Sequence, residues 1–165
     1  MELAILDDNQ TKVKKRQFCS FYIDNHLFGV DILDVKEIKD EFTITKVFHS
    51  PKEVLGFVNI RGNVHLVLDI SMMLGFSSKP VDEKNRVVLF KSVVDPSFGI
   101  LVDQIDDMIT VKQDMIVDVA DEDFSNLVII SNHSKIINGI CKLDHALLLL
   151  IDTKKLLGAV DKDLY

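Results

Sequence analysis

Short apolar stretches alternate with polar breaks along almost the whole chain, and few of them repeat at helical spacing. Residues 18–23 are mostly apolar, Asp24-Asn25-His26 interrupts them, and residues 27–32 resume. Two such runs around an Asp-Asn pair predict a β-hairpin. Gly29 inside the second run predicts a bulge or a close backbone approach. The same pattern predicts strands over 35–38, 44–48, 56–60, 64–68, 86–93, 98–102, 105–111, 127–131, 136–143 and 147–151. They recur roughly every ten residues between Asp, Asn, Gly and Pro, the rhythm of small barrels or sandwiches. Arg61-Gly62-Asn63 and Asp95-Pro96-Ser97 have the chemistry of hairpin turns.

Two segments read as short capped helices. Asp69 precedes Ile-Ser-Met-Met-Leu with Gly75 after it, and Asp152 precedes Thr-Lys-Lys-Leu-Leu with Gly158 after it. A carboxylate at the N-cap accepts the first free amide hydrogens. Glycine suits the left-handed position that ends a helix. At an offset of 83, Gly56, Leu66, Asp69, Leu74 and Gly75 match Gly139, Leu149, Asp152, Leu157 and Gly158. At an offset of 70, Phe28-Gly29-Val30 resembles Phe98-Gly99-Ile100. The change of offset implies an insertion in the second copy. We read a duplicated unit of about five strands ending in a capped helix, each copy of marginal size for a core of its own. The polar stretch 77–85 separates the copies, and residues 1–17, with Lys12, Lys14, Lys15 and Arg16, read as a flexible solvated arm.

The chain has 165 residues, 47% of them hydrophobic and 27% charged, and a net charge of −7. That is the composition of a folded domain. The acidic balance argues against nucleic acid, which needs clustered Lys and Arg. The longest purely apolar run, 146–151, falls far short of the ~20 residues of a spanning helix. Glu2 and the brief apolar stretch 3–6 do not make a secretory signal. A cytoplasmic protein without direct membrane insertion is therefore expected. Cys19 and Cys141 are far apart and read as buried free thiols.

Catalytic chemistry is not nominated. Phosphate-loop, dinucleotide and nucleophile-elbow patterns are missing. His26, His49, His65, His133 and His145 share no ligand spacing, and His65, in an alternating strand, reads as a satisfied structural histidine. Asp118, Asp121, Glu122 and Asp123 lack the calcium-loop pattern and read as a solvated loop. No metal or cofactor is expected. One loop is conspicuous: Gly56-Phe57-Val58-Asn59-Ile60-Arg61-Gly62 sets two glycines, an amide and a guanidinium among apolar residues. The second copy has Asp144-His145 where the first has Arg61-Gly62. This asymmetry leaves two readings for Arg61, a special role or a salt bridge inside the first copy.

At this loop the chain resembles the CheW family of chemotaxis coupling proteins, whose signature is Gly-Val-Ile-Asn-Leu-Arg-Gly. Residues 28–38, Val67-Leu68-Asp69, residues 99–103 and 139–143, and Asp152 match family features in order and spacing, over residues 18–158. The resemblance implies a mostly β fold of two small five-stranded barrels packed side by side, the first at roughly 18–79 and the second at roughly 86–158, with short capped helices. It implies a non-enzymatic adaptor between the cytoplasmic tip of chemoreceptors and the regulatory domain of a chemosensory histidine kinase, recruited to membrane-associated receptor arrays. Carried over by position, Val35, Glu37, Gly56, Asn59, Arg61 and Gly62 would line the receptor groove from the first barrel, and Ile105 and Met108 from the second. Glu37 and Arg61 would pair with each other or bond to the receptor. Phe124 would serve a kinase or ring contact. Ending at Tyr165 favours a free-standing adaptor. The competing readings are a paralogous adaptor of a twitching or other array and, more remotely, a small-molecule-binding β-barrel.

Overall fold

A computed structural model of the chain describes residues 13–91, 97–119 and 135–160. The first hairpin is β1 (Lys15–Ile23) and β2 (His26–Asp31). Its turn residues Asp24 and Asn25 have φ of 49° and 66°, the left-handed pair of a tight hairpin turn. The β1–β2 register is unbroken at Gly29, so no bulge forms there. Instead a Cβ on Gly29 would lie 3.1 Å from Leu148 Cδ1 and 3.3 Å from Phe18 Cβ, so side chains crowd the position. β1 also begins inside the expected arm. Arg16 bonds to Asp31 at 2.9 Å and lies 4.9 Å from the Phe18 ring centroid, which ties the basic stretch to the sheet.

The remaining strands are β3 (Val35–Lys39), β4 (Val54–Ile60), β5 (Asn63–Asp69), β6 (Arg86–Phe90), β7 (Phe98–Val102), β8 (Gln104–Lys112), β9 (Ile116–Asp118), β10 (Ile137–Lys142) and β11 (Leu147–Ile151). Of the expected strand at 44–48 only a Thr45–Phe57 bridge forms. The expected strand at 127–131 and the Asp95-Pro96 turn lie outside the described residues.

The strands make a six-stranded sheet, β8-β1-β2-β11-β10-β9, and a five-stranded sheet, β3-β6-β7-β5-β4. The expected pair of five-stranded barrels is thus realised as two packed sheets that the described ladders do not close. Nor do the sheets follow the two halves of the chain. The first-half hairpin β1–β2 joins β8, β9, β10 and β11 of the second half, while the second-half hairpin β6–β7 joins β3, β4 and β5. A 3-10 turn at Ile32–Asp34 leads from β2 across to β3, and Asp103 leads from β7 to β8. The parallel pairs β2–β11 and β5–β7 join strands of different halves. The duplication survives this exchange: β2 corresponds to β7, and β4–β5 to β10–β11.

Both faces of the inner strands β2, β11, β6 and β7 are buried, which explains their nearly continuous apolar runs. Along β11, Leu148 and Leu150 pack into the six-stranded sheet's own core, and Leu149 and Ile151 into a core shared by the two sheets. Along β6, Val87 and Leu89 face the five-stranded sheet's own core, and Val88 and Phe90 the shared one. Phe21, Phe28 and Val30 meet Leu68, Ile100 and Val102 in that shared core. Cys19 and Cys141 are buried free thiols, as expected, and burial pushes both thiols up from their usual pKa.

The helices α1 (Ile70–Met73) and α2 (Thr153–Leu156) carry the expected N-caps. Asp69 Oδ1 accepts from Met72 N at 3.2 Å, and Asp152 Oδ1 from Lys154 N at 3.0 Å. Gly75 has a positive φ of 82°. Gly158 does not end α2 in this way, because the chain stays helical at Leu157 and continues as a 3-10 turn over Leu157–Ala159. Among the described residues no helix is long and apolar enough to cross a membrane.

Candidate functional site

The Arg61-Gly62 turn joins β4 to β5 and has φ of 53° and 82° at its two residues. Asn59 Oδ1 accepts the Gly62 amide at 3.0 Å and fixes the turn from inside. Arg61 therefore stands on a rigid two-residue turn, with its side chain 71% exposed. Its guanidinium grips Glu37 with two bonds: Nη1 donates to Oε2 at 3.0 Å and Nη2 to Oε1 at 2.8 Å. This parallel fork is the strong form of an arginine–carboxylate pair. The Glu37 side chain is only 20% exposed, and Lys39 Nζ lies 3.6 Å from its Oε1. The Arg61 hydrogen bonds, helped by the charges of Arg61 and Lys39, hold the Glu37 carboxyl below its usual range against an opposing desolvation. Glu37 in turn raises Arg61.

β3 and β4 are the two outer strands of the five-stranded sheet. A direct bond between Glu37 on β3 and Arg61 just after β4 means that this sheet curls until its edges meet. The pair is a seam on the molecular surface. Of the two readings left open by the sequence, Glu37 and Arg61 do pair with each other. Lys39, two residues along the same strand face, was the neighbour that sequence reasoning missed; its spacing from Glu37 on an alternating strand was the available signal.

The other expected residues divide by role. Val35 and Ile105 are half-buried and pack against the shared core from the two sheets. Met108 stands opposite Cys19 on β8 and is 58% exposed. Gly56 is buried and serves the backbone. A Cβ there would sit 2.1 Å from the Thr45 carbonyl oxygen. That close approach lets Thr45 and Phe57 exchange two backbone bonds of 2.8 Å. Phe124 lies outside the described residues. In the second copy Asp144 and His145 are exposed on the β10–β11 turn.

His65, opposite Val58 in the β4–β5 ladder, is 4% exposed, and its Nδ1 has no hydrogen-bond partner. The expectation of a satisfied histidine fails on this atom. Desolvation, with Lys36 adding repulsion, lowers its pKa, and Glu37 opposes this.

The family model for the CheW-like domain matches residues 17–161. The chain belongs to the CheW-like family. Its CheW-like relatives include the probable chemotaxis protein CheW of Rhizobium etli, 31% identical over 149 residues, covering 90% of this chain and 91% of that one. The chemotaxis protein CheW of Klebsiella aerogenes is 25% identical over 144 residues, covering 87% and 82%. Among solved structures, the scaffolding protein TtCheW from Thermoanaerobacter tengcongensis shares the fold, with a TM-score of 0.72, 22% identity, and 83% and 88% of the two chains covered. CheW-like proteins are adaptors of chemotaxis signalling and not enzymes, and this chain is one of them.

Proposed function

We propose that this adaptor couples the cytoplasmic tip of chemoreceptors to the regulatory domain of a chemosensory histidine kinase, in the cytoplasm at membrane-associated receptor arrays. The observation that carries the reading is the surface Glu37–Arg61 seam, two residues along β3 from half-buried Val35. Val35, Ile105 and Met108 supply apolar contacts for a helical tip, and the methionine adapts its shape to it. Glu37 and Arg61 supply the polar recognition. Gly56, Asn59 and Gly62 shape the backbone that presents Arg61. Phe124 is the candidate for the kinase or ring contact.

Co-sedimentation with a purified kinase and receptor-bearing membranes, scored with kinase autophosphorylation, tests this. Arg61→Glu puts two carboxylates at the seam, and receptor-dependent activation should fall by about tenfold or more, a loss of about 1.4 kcal/mol of coupling. The isolated variant should still unfold cooperatively, with a midpoint modestly below the parent because half-buried Glu37 loses its partner. The exchanged pair Glu37→Arg with Arg61→Glu separates the roles of the seam. Recovery of activation means that the pair acts as an internal latch; continued failure means that the receptor reads each charge directly. An Arg61→Glu variant that couples like the parent removes this face from receptor binding.

A further inference from the structure

A buried side chain on the strand that leaves the Arg61-Gly62 turn, His65, is itself ionisable. His65 shares a strand face with Val67, which lies in the five-stranded sheet's own core. Directly across from it on β4 is Val58, also in that core. The charges that act on the ring come from β3: Lys36, which repels a cation, and Glu37, which attracts one. On its own hairpin the charged groups are Arg61, already bonded to Glu37, and Asp69 at the far end of β5, engaged by Met72 N and Ser78. In the neutral ring the buried Nδ1 lacks a partner. A protonated ring would carry an N–H on both nitrogens, so it would bury an unpaired donor together with a charge. The carboxylate that could answer it is Glu37, and reaching Glu37 means competing with Arg61.

We propose that His65 is a proton-sensitive support of the receptor-facing turn: neutral, it keeps the β4–β5 turn packed under the Glu37–Arg61 pair, and protonated, it loosens that turn and weakens receptor binding. This rests on the receptor reading above and adds its regulation. The sign follows from burial. The folded ring titrates below the usual 6.5, so folding favours the neutral form. The packed turn is fully supported above about pH 6.5 and loses support as pH falls through the folded value. Glu37 is held below its ordinary 4.5, so it stays ionised across that window and the seam's own titration does not intrude.

The test compares the parent with His65→Val, which puts a β-branched apolar side chain without a titratable group at the position. Amide hydrogen-exchange protection factors of the isolated full chain are measured at about pH 7.5 and about pH 5.5. In the parent, protection over residues 59–64 should fall by roughly three- to tenfold at the lower pH, and His65→Val should hold its protection. The exposed His26, His49 and His145 are common to both proteins and control for general titration. Binding to receptor membranes over the same range should weaken in the parent and stay level in His65→Val. Flat protection in the parent, or the same fall in the variant, overturns the proposal. So does a His65-dependent fall in protection with receptor binding level at both pH values. Failure to bind receptor at either pH, with the protection change intact, overturns the receptor reading instead.

Discussion

Gly56 and Gly62 are the same letter in one motif, yet they answer different demands. Gly62 needs only its positive φ; open space surrounds the place where a Cβ would go. Gly56 adds to a positive φ of 149° a backbone contact that leaves no room for a Cβ at all. Gly62→Ala should therefore cost about 1 kcal/mol of unfolding free energy. Gly56→Ala should cost about 3 kcal/mol or more, because backbone strain is joined by loss of the two Thr45–Phe57 bonds. Urea denaturation of the two variants checks the ordering, and equal midpoints would mean that Thr45 moves aside freely. The motif itself was legible in the sequence, as was a salt bridge inside the first copy as one of the two readings for Arg61. The division of labour was not, since a binding glycine, a turn glycine and a close-packed glycine leave the same mark on a single chain. His65 shows the same limit: alternation predicted its burial, but no local pattern reports that Nδ1 goes without a partner.

At the scale of elements, the clearest signals were those whose physics is local. The β1–β2 and β4–β5 turns follow from Asp24-Asn25 and Arg61-Gly62, and both helices begin at the predicted aspartates. The segment at 44–48 looked like a strand because it is apolar, but it contributes one bridge; apolar character reports burial and not pairing. The two caps also differ in what they hold. Asp152 is half-buried, caps Lys154 N through Oδ1, and has Oδ2 4.0 Å from the exposed Lys155 Nζ. Asp69 is buried, caps Met72 N with one oxygen and accepts the Ser78 hydroxyl at 3.0 Å with the other, tying the inter-repeat connection to α1. Asp152→Ala should cost about 1 kcal/mol, the ordinary value of a cap. Asp69→Ala should cost about 2 kcal/mol or more, since the Ser78 hydroxyl also loses its acceptor. Midpoints of chemical denaturation measure both, and a larger loss at Asp152 would contradict this account.

The whole molecule depends on an exchange that the repeat offsets, visible in the sequence, do not encode, because self-similarity says which strands are alike and not which strands pair. Each half lends its first hairpin to the other half's sheet. In the order β3-β6-β7-β5-β4, removing β6 and β7 separates β3 from β5 and β4, so the first half alone has no intact sheet. The second half alone likewise lacks β1 and β2, which sit between β8 and β11. The shared core draws side chains from both. A chain cut in the exposed connection, into residues 1–82 and 83–165, should thus give two fragments that show no cooperative unfolding transition alone. Mixed in equal amounts, they should recover the β signal in circular dichroism and a single transition. Its midpoint should rise with concentration, since association becomes bimolecular once the covalent connection and its effective concentration, on the order of millimolar, are gone. The exchange makes that association obligatory, whereas two barrels confined to 18–79 and 86–158 would each melt separately. A fragment that unfolds cooperatively on its own would show that one sheet can close without the borrowed hairpin.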